Sequence, residues 1–250
     1  MHESQKILDG FGMASTNSFK SKKQLTSMEA MQLQSAISND TLGHVRHAAL
    51  ALAEGISGIN LALTTWATVQ LYYCVFYTAR ARLGAQNVCI FYIPRSSYSI
   101  EARSGAIAVN IAPQTHKATL QEFARRNPNS LFLSQPIGQR TPFEWLCEKR
   151  EIANYKNCGP FEPDLCESFL QVHKLGLRKA LQTYLNDPRE LYTFDEDHAV
   201  LAFPLRFFQE SVKIIRQGRT KACGADFCAA LSVLLKDRSG PFTSLAHLFS

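Results

Sequence analysis

Over residues 65–83 the apolar side chains fall at Val69, Tyr72, Tyr73, Phe76, Ala79 and Leu83. That is helical spacing, and it predicts one long helix over about 59–85 whose apolar face is wide enough for the middle of a bundle. Upstream, a short helix is expected over 27–37, and Asn39 and Asp40 offer caps for a second over 41–54. Gly55 and Gly58 follow, as a turn or as a point of close packing. Residues 1–25 are rich in Ser, Lys, Asn and Gly and lack periodicity, which predicts a mobile tail or a lightly docked arm.

The period changes after the long helix. Residues 88–93 form an apolar run closed by Pro94, 97–102 alternate, Ser104 and Gly105 supply a two-residue turn, and 106–111 lead to Pro113. This predicts a β-hairpin over 88–111, with room for a third strand, inserted between bundle helices as a partner contact or a structural flap. Helical spacing resumes over 116–126, and Pro128, Pro136 and Gly138 mark a loop. Thr141-Pro142-Phe143-Glu144 then reads as a capping box with proline at the first helical position, opening a helix to about residue 156.

Residues 158–163 stop that helix. The next spans about 164–185, with Phe169, Val172, Leu175, Ala180, Leu181 and Tyr184 inward, until Asn186-Asp187-Pro188 breaks it. A helix over 198–217 contains Pro204 and should begin late or kink. Another is expected over 225–236, with a last apolar turn at 245–249. Asp195-Glu196-Asp197-His198 reads as a solvated helix start. No internal repeat or low-complexity segment is visible. The fold class is therefore mainly α: a helical bundle over 26–250 as a single domain, with the 88–111 hairpin inserted and 190–250 as a helical extension.

Composition narrows this picture only a little. A chain of 250 residues with 46% hydrophobic content can bury a substantial core. The formal charge of +6 permits contact with nucleic acid or an acidic partner without requiring it. The chain has 7 cysteines, and their odd number, scattered through apolar segments, reads as reduced thiols. The opening residues lack the apolar run of a signal peptide, and the most apolar stretch, over 59–83, is interrupted by Asn60, Thr64, Thr65 and Gln70. No membrane span and a cytoplasmic location are expected. Cys223 and Cys228 lack a matching pair for zinc; His44 and His47, three apart, lack a third ligand and fit an exposed helix face better. Neither metal nor cofactor is expected.

The residues with most chemical content are Tyr72-Tyr73 on the long helix, His116-Lys117 at the start of the next, and Arg150-Glu151 with Asn154-Tyr155 beyond. In this order they resemble HEPN domains (higher eukaryotes and prokaryotes nucleotide-binding), over about residues 40–185. The resemblance implies an antiparallel HEPN-like bundle of prokaryotic antiviral or toxin–antitoxin systems. In that family an Arg and a downstream His form a metal-independent ribonuclease pair at a dimer cleft, the Arg steadying phosphate charge and the His moving a proton. Arg150 matches the Arg. Asn154 and Tyr155 fall where the His, or an Asp-Tyr variant, would lie, and no arginine here is followed by His after four to six residues. Asn cannot titrate. The chain thus resembles the branch that accompanies nucleotidyltransferases or other partners.

Three readings follow from the resemblance. The first is a non-catalytic subunit that dimerises and binds a catalytic partner (a nucleotidyltransferase, ATPase or nuclease), or nucleotide or RNA. The second is a divergent ribonuclease in which Arg150 works with a proton carrier from elsewhere, His116 or a partner chain. The third is an RNA-binding module without catalysis. The nucleotide- or RNA-binding set would be Arg150, Asn154, Tyr155, His116 and Lys117, and the interface set Tyr72, Tyr73 and Trp145. Arg150 and Asn154, one turn apart, would share a helix face. Against this stand plainer expectations: Arg150 locked to a carboxylate with Asn154 bonded to backbone, His116 held by a structural hydrogen bond, and Trp145 in the core. In either case the Tyr73 helix should lie beside the Arg150 helix, with no imidazole near the guanidinium.

Overall fold

Thr26 opens the first long helix because its side chain accepts from the Glu29 amide while Glu29 reaches back to the Thr26 amide, a reciprocal cap. In the computed structural model, which describes residues 2–13, 23–93, 96–112, 115–156 and 169–217, that helix (α2, Ser27–Asn60) is continuous. The expected break at Asn39-Asp40 is absent. Thr41 bonds backward to the Ile37 carbonyl at 2.7 Å and stays helical. Asp40 does cap a helix, but a different one. Its carboxylate accepts from the Glu3 and Ser4 amides, both at 2.9 Å, at the start of α1 (Glu3–Gly10). Over residues 2–13 the docked-arm alternative holds and a mobile tail does not: the segment is a docked helix with Leu8 and Met13 fully buried.

The α2 chain turns through Leu61–Leu63, with Ala62 left-handed at φ 61°, into α3 (Thr64–Ala85). Gly55 and Gly58 are the close-packing points rather than the turn. A Cβ on Gly55 would stand 2.9 Å from Leu71 Cγ, and one on Gly58 3.2 Å from Ala67 Cβ, so glycine lets α2 and α3 approach. Helix α3 is the central rod: α2, α4 (Thr115–Arg126), α5 (Pro142–Glu151) and α8 (Ala199–Gln217) all pack on it.

Strands β1 (Val88–Ile93), β2 (Ser96–Glu101) and β3 (Val109–Ala112) form one antiparallel sheet in that order, with Val88 opposite Glu101 and Tyr98 opposite Asn110. The third strand is therefore present, and the Ser104-Gly105 turn is wider than two residues. Leu25 ties into it, donating to the Ala106 carbonyl and accepting from the Gly105 amide. One sheet face, α1 and the first turns of α2 enclose a second apolar core of Leu8, Leu33, Ile37, Phe91 and Ile100. The sheet is anchored to α4 by Glu122, which accepts from Ser99, Arg125 and Arg126. Burial alone would raise this carboxyl's pKa; those donors outweigh it and hold it at about 2.

Helix α5 begins at the expected Thr141–Glu144 capping box and then winds as a π-helix over Ile152–Lys156. Downstream, the single expected helix is split into α6 (Leu170–Leu175) and α7 (Leu177–Leu185) by Gly176 at φ 78°. Helix α8 is continuous through Pro204 and does not begin late. Phe203, Leu205, Phe207 and Phe208 around it are buried, and that burial outweighs a cost of about 3 kcal/mol for an interior proline. Phe203 and Phe207 meet Phe132 and Phe143 edge-on, so α8 completes the main core. The expected elements at 225–236 and 245–249, the start of the 164–185 helix, and Cys158, Cys166, Cys223 and Cys228 lie outside the described residues. The fold is mainly helical with one small antiparallel sheet.

Candidate functional site

Helical spacing on α3 carries Tyr72, Tyr73 and Phe76 toward the side where α4 begins and α5 ends. The Arg150 guanidinium stacks over the Tyr72 ring, Cζ to centroid 4.9 Å. The two rods do nest, as expected. The His116 imidazole reaches the same aromatic group from the first turn of α4: its ring centroid lies 4.5 Å from Phe76, 5.7 Å from Tyr73 and 5.9 Å from Tyr72. The expectation of a guanidinium without an imidazole is therefore corrected. Spacing along one helix could not reveal the pair, because the two residues come from different helices and meet on a third.

Among the described residues, His116 Nδ1 and Arg150 Nε are buried without a hydrogen-bond partner, and the buried Tyr72 hydroxyl has only the Cys147 thiol beside it. Among the described residues, Arg150's nearest carboxylate is Glu151 Oε1, 3.6 Å from Nη2: the expected ion pair is present, but at a length beyond hydrogen-bond range. Among the same residues His116 Nδ1 has no hydrogen-bond partner. Burial and then the positive charge of Arg150 lower the His116 pKa, so its imidazole is neutral at pH 7. Burial, with the Cys147 thiol close by, raises the Tyr72 phenol pKa and keeps it protonated. The assembled groups are a fixed cation, a neutral imidazole able to accept a proton, and a phenol able to donate one. They suit an oxyanion.

Other expected members fall elsewhere. Asn154 is exposed on the π segment while Arg150 stays mostly buried. Tyr155 is exposed on the same turn. Lys117 is exposed at the edge of a groove between α4 and α5. Trp145 is buried in the main core, with Lys149 Nζ 4.9 Å from its ring. Tyr72 and Trp145 are consumed within the single chain and leave no surface for an interface; Tyr73 is half-buried. Sequence reasoning missed Phe76 and Cys147 as neighbours of the cluster. Phe76 had a signal, one turn beyond Tyr72 and Tyr73; Cys147 had none.

His44 is a second correction: it is buried rather than exposed, stacked on Tyr77 at 6.2 Å, and burial followed by Arg80's charge holds its pKa well below the usual value. His47 is exposed. Among the described residues, no group of His, Cys, Asp or Glu is placed to hold a metal ion, and no helix is long and apolar enough to cross a membrane. No family model, curated protein or solved structure matches the chain.

Proposed function

We propose that this chain is a HEPN-like subunit, serving a prokaryotic antiviral or toxin–antitoxin system, that binds the phosphate of a nucleotide or RNA at Arg150, His116 and Tyr72. The observation that carries this reading is the convergence on one aromatic group of buried polar atoms of Tyr72, His116 and Arg150 that have no nitrogen or oxygen partner among the described residues. A buried polar atom without a partner carries a cost that a phosphate oxygen would relieve. Asn154, Tyr155 and Lys117 lie outside the cluster and would act, if at all, on the flanking chain of an RNA.

The test is binding of a labelled RNA oligonucleotide and of a labelled mononucleotide. Arg150→Ala should weaken both by about tenfold, the loss of one charge-assisted contact. Unchanged binding by that variant would discard the site. A steep fall in affinity with salt is expected for the RNA alone.

Cleavage is a second reading, favoured by the neutral imidazole that approaches the same Tyr72 ring as the guanidinium. A histidine whose pKa lies below neutrality can take the proton of a ribose 2′-hydroxyl while Arg150 steadies the phosphate, without a metal. Incubation with total RNA and tRNA separates the readings. Cleavage abolished by both His116→Ala and Arg150→Ala supports catalysis; binding without cleavage, with or without added partner proteins, leaves the binding subunit.

A further inference from the structure

Helices α4 and α5 both rest on α3 but scarcely touch each other. Between them, among the described residues, runs an open groove of about 420 Å³. Its floor is apolar: Leu120 and Ala124 from one helix, Phe143 and Cys147 from the other, and Leu133 from the intervening loop. Along the α5 wall stand Glu144, Glu148 and Glu151, spaced four and then three residues apart. That spacing sets them in a row about 10 Å long on one helix face. Among the described residues, Lys117 is the only cation of the lining. Arg140, in the loop, pairs with Glu148. The chain as a whole is +6, so this acidic row runs against the sign of the protein.

We propose that the α4–α5 groove is a docking site for a basic amphipathic helix of a partner protein. The apolar floor takes the partner's aliphatic face, as in helix-in-groove recognition. The glutamate row pairs with lysines or arginines at matching helical spacing and selects a basic helix against an acidic one. It also keeps nucleic acid out of the groove, so RNA and partner approach different faces of α5. Cys147 lines the floor and lies beside Tyr72, so the docked helix ends near the Arg150 cluster. This deepens the subunit reading above by naming the chemistry of its partner, but its test does not depend on that reading, because it is made without RNA.

The probe is a fluorescein-labelled amphipathic peptide with leucine on one face and lysine on the other, compared with the same peptide carrying glutamate for lysine. Anisotropy with the full chain at low salt should show the lysine peptide bound at least about tenfold more tightly than the glutamate one. Glu148→Gln combined with Glu151→Gln should weaken it about fivefold, and high salt should do the same. Ala124→Phe, which fills the floor at a half-buried position and leaves the charges alone, should abolish capture while helical circular dichroism is retained. No capture, equal capture of both peptides, or capture indifferent to these variants would each overturn the proposal. So would a concentration-dependent dimer that Ala124→Phe dissolves without any peptide binding, since the occupant would then be a second copy. RNA binding lost through Arg150→Ala with peptide capture intact separates this site from the phosphate site.

Discussion

Arg206 and Arg150 are both largely buried, 8% and 14% exposed, and both sit on helices against the main core. Arg206 is saturated. Its Nε donates to both oxygens of Glu190 at 3.2 and 3.1 Å, its Nη1 to the Leu185 carbonyl at 3.3 Å, and Glu210 lies 3.4 Å away. Glu190 itself accepts from Thr193 at 2.6 Å. Arg150 has an aromatic face beneath it, a carboxylate at 3.6 Å and a buried Nε with nothing to donate to among the described residues. Both arginines are dehydrated, but among the described residues Arg206 alone has exchanged its water for protein oxygens within hydrogen-bond range. An arginine that holds a fold together looks like the first; one that waits for an external oxyanion looks like the second.

The sharpest break between them is a stability measurement. Glu190→Ala leaves Arg206 buried without its carboxylate and should cost about 3–5 kcal/mol in urea unfolding. Arg150→Met keeps the stem packing over Tyr72 and removes an unsatisfied charge. It should change stability by less than about 1 kcal/mol, or raise it. A loss at Arg150 as large as that at Glu190 would make it a structural arginine and remove the site.

Acid should reveal the imidazoles next. His44 and His116 have folded-state pKa values below the unfolded value. In that window the unfolded chain binds more protons than the folded one, so stability rises with pH. Their contribution is complete above the unfolded value of about 6.5 and is lost as pH falls below it, by at most about 1.4 kcal/mol per pH unit for each group. The loss levels off once the folded-state value is passed. His44 should dominate, and His44→Gln should flatten the slope. Arg150→Met should raise the His116 pKa, read by proton NMR, by relieving the second of its causes while burial remains. An unmoved His116 resonance would uncouple the pair on which the oxyanion site depends.

These two clusters also mark the boundary of what sequence conveys. The start of α5 is legible because a capping box is local: Thr141, Pro142 and Glu144 carry their whole instruction within one turn. The aromatic rod α3 is legible because its spacing reports burial directly. Asp40 misleads for the complementary reason. It is a good cap residue in the right place, but its oxygens serve the amides of Glu3 and Ser4, 37 and 36 positions earlier in the chain. Pro204 misleads because tertiary burial overrides a local cost. His116 and Arg150 stand 34 residues apart, and no helical period links them. Their meeting is a property of three packed rods. The π winding over Ile152–Lys156 is likewise not encoded in residue spacing.

A smaller effect is expected where the Asp40 cap is removed. Asp40→Ala frees two α1 amides and the Ser4 hydroxyl, which donates to it at 2.5 Å, and should cost about 1–2 kcal/mol. Hydrogen exchange should place that loss in α1 and the adjoining sheet core, away from the Arg206 and Arg150 clusters. Faster exchange spreading into α5 would mean that the two cores are not energetically separate.

The smallest effect belongs to Glu151, and it tests the comparison at its weakest point. If the 3.6 Å approach to Arg150 were a working ion pair, Glu151→Gln would leave a mostly buried guanidinium without compensation and resemble Glu190→Ala in miniature. The Glu151 side chain is 46% exposed, however, and solvent screens what the distance has already weakened. The expected change in unfolding free energy is below about 0.5 kcal/mol. Its accompanying signature is a modest gain in phosphate or nucleotide affinity, because a nearby carboxylate no longer competes for the guanidinium. A clear destabilisation with no gain in anion binding would place Arg150 with Arg206 after all, as an arginine already satisfied by its own chain.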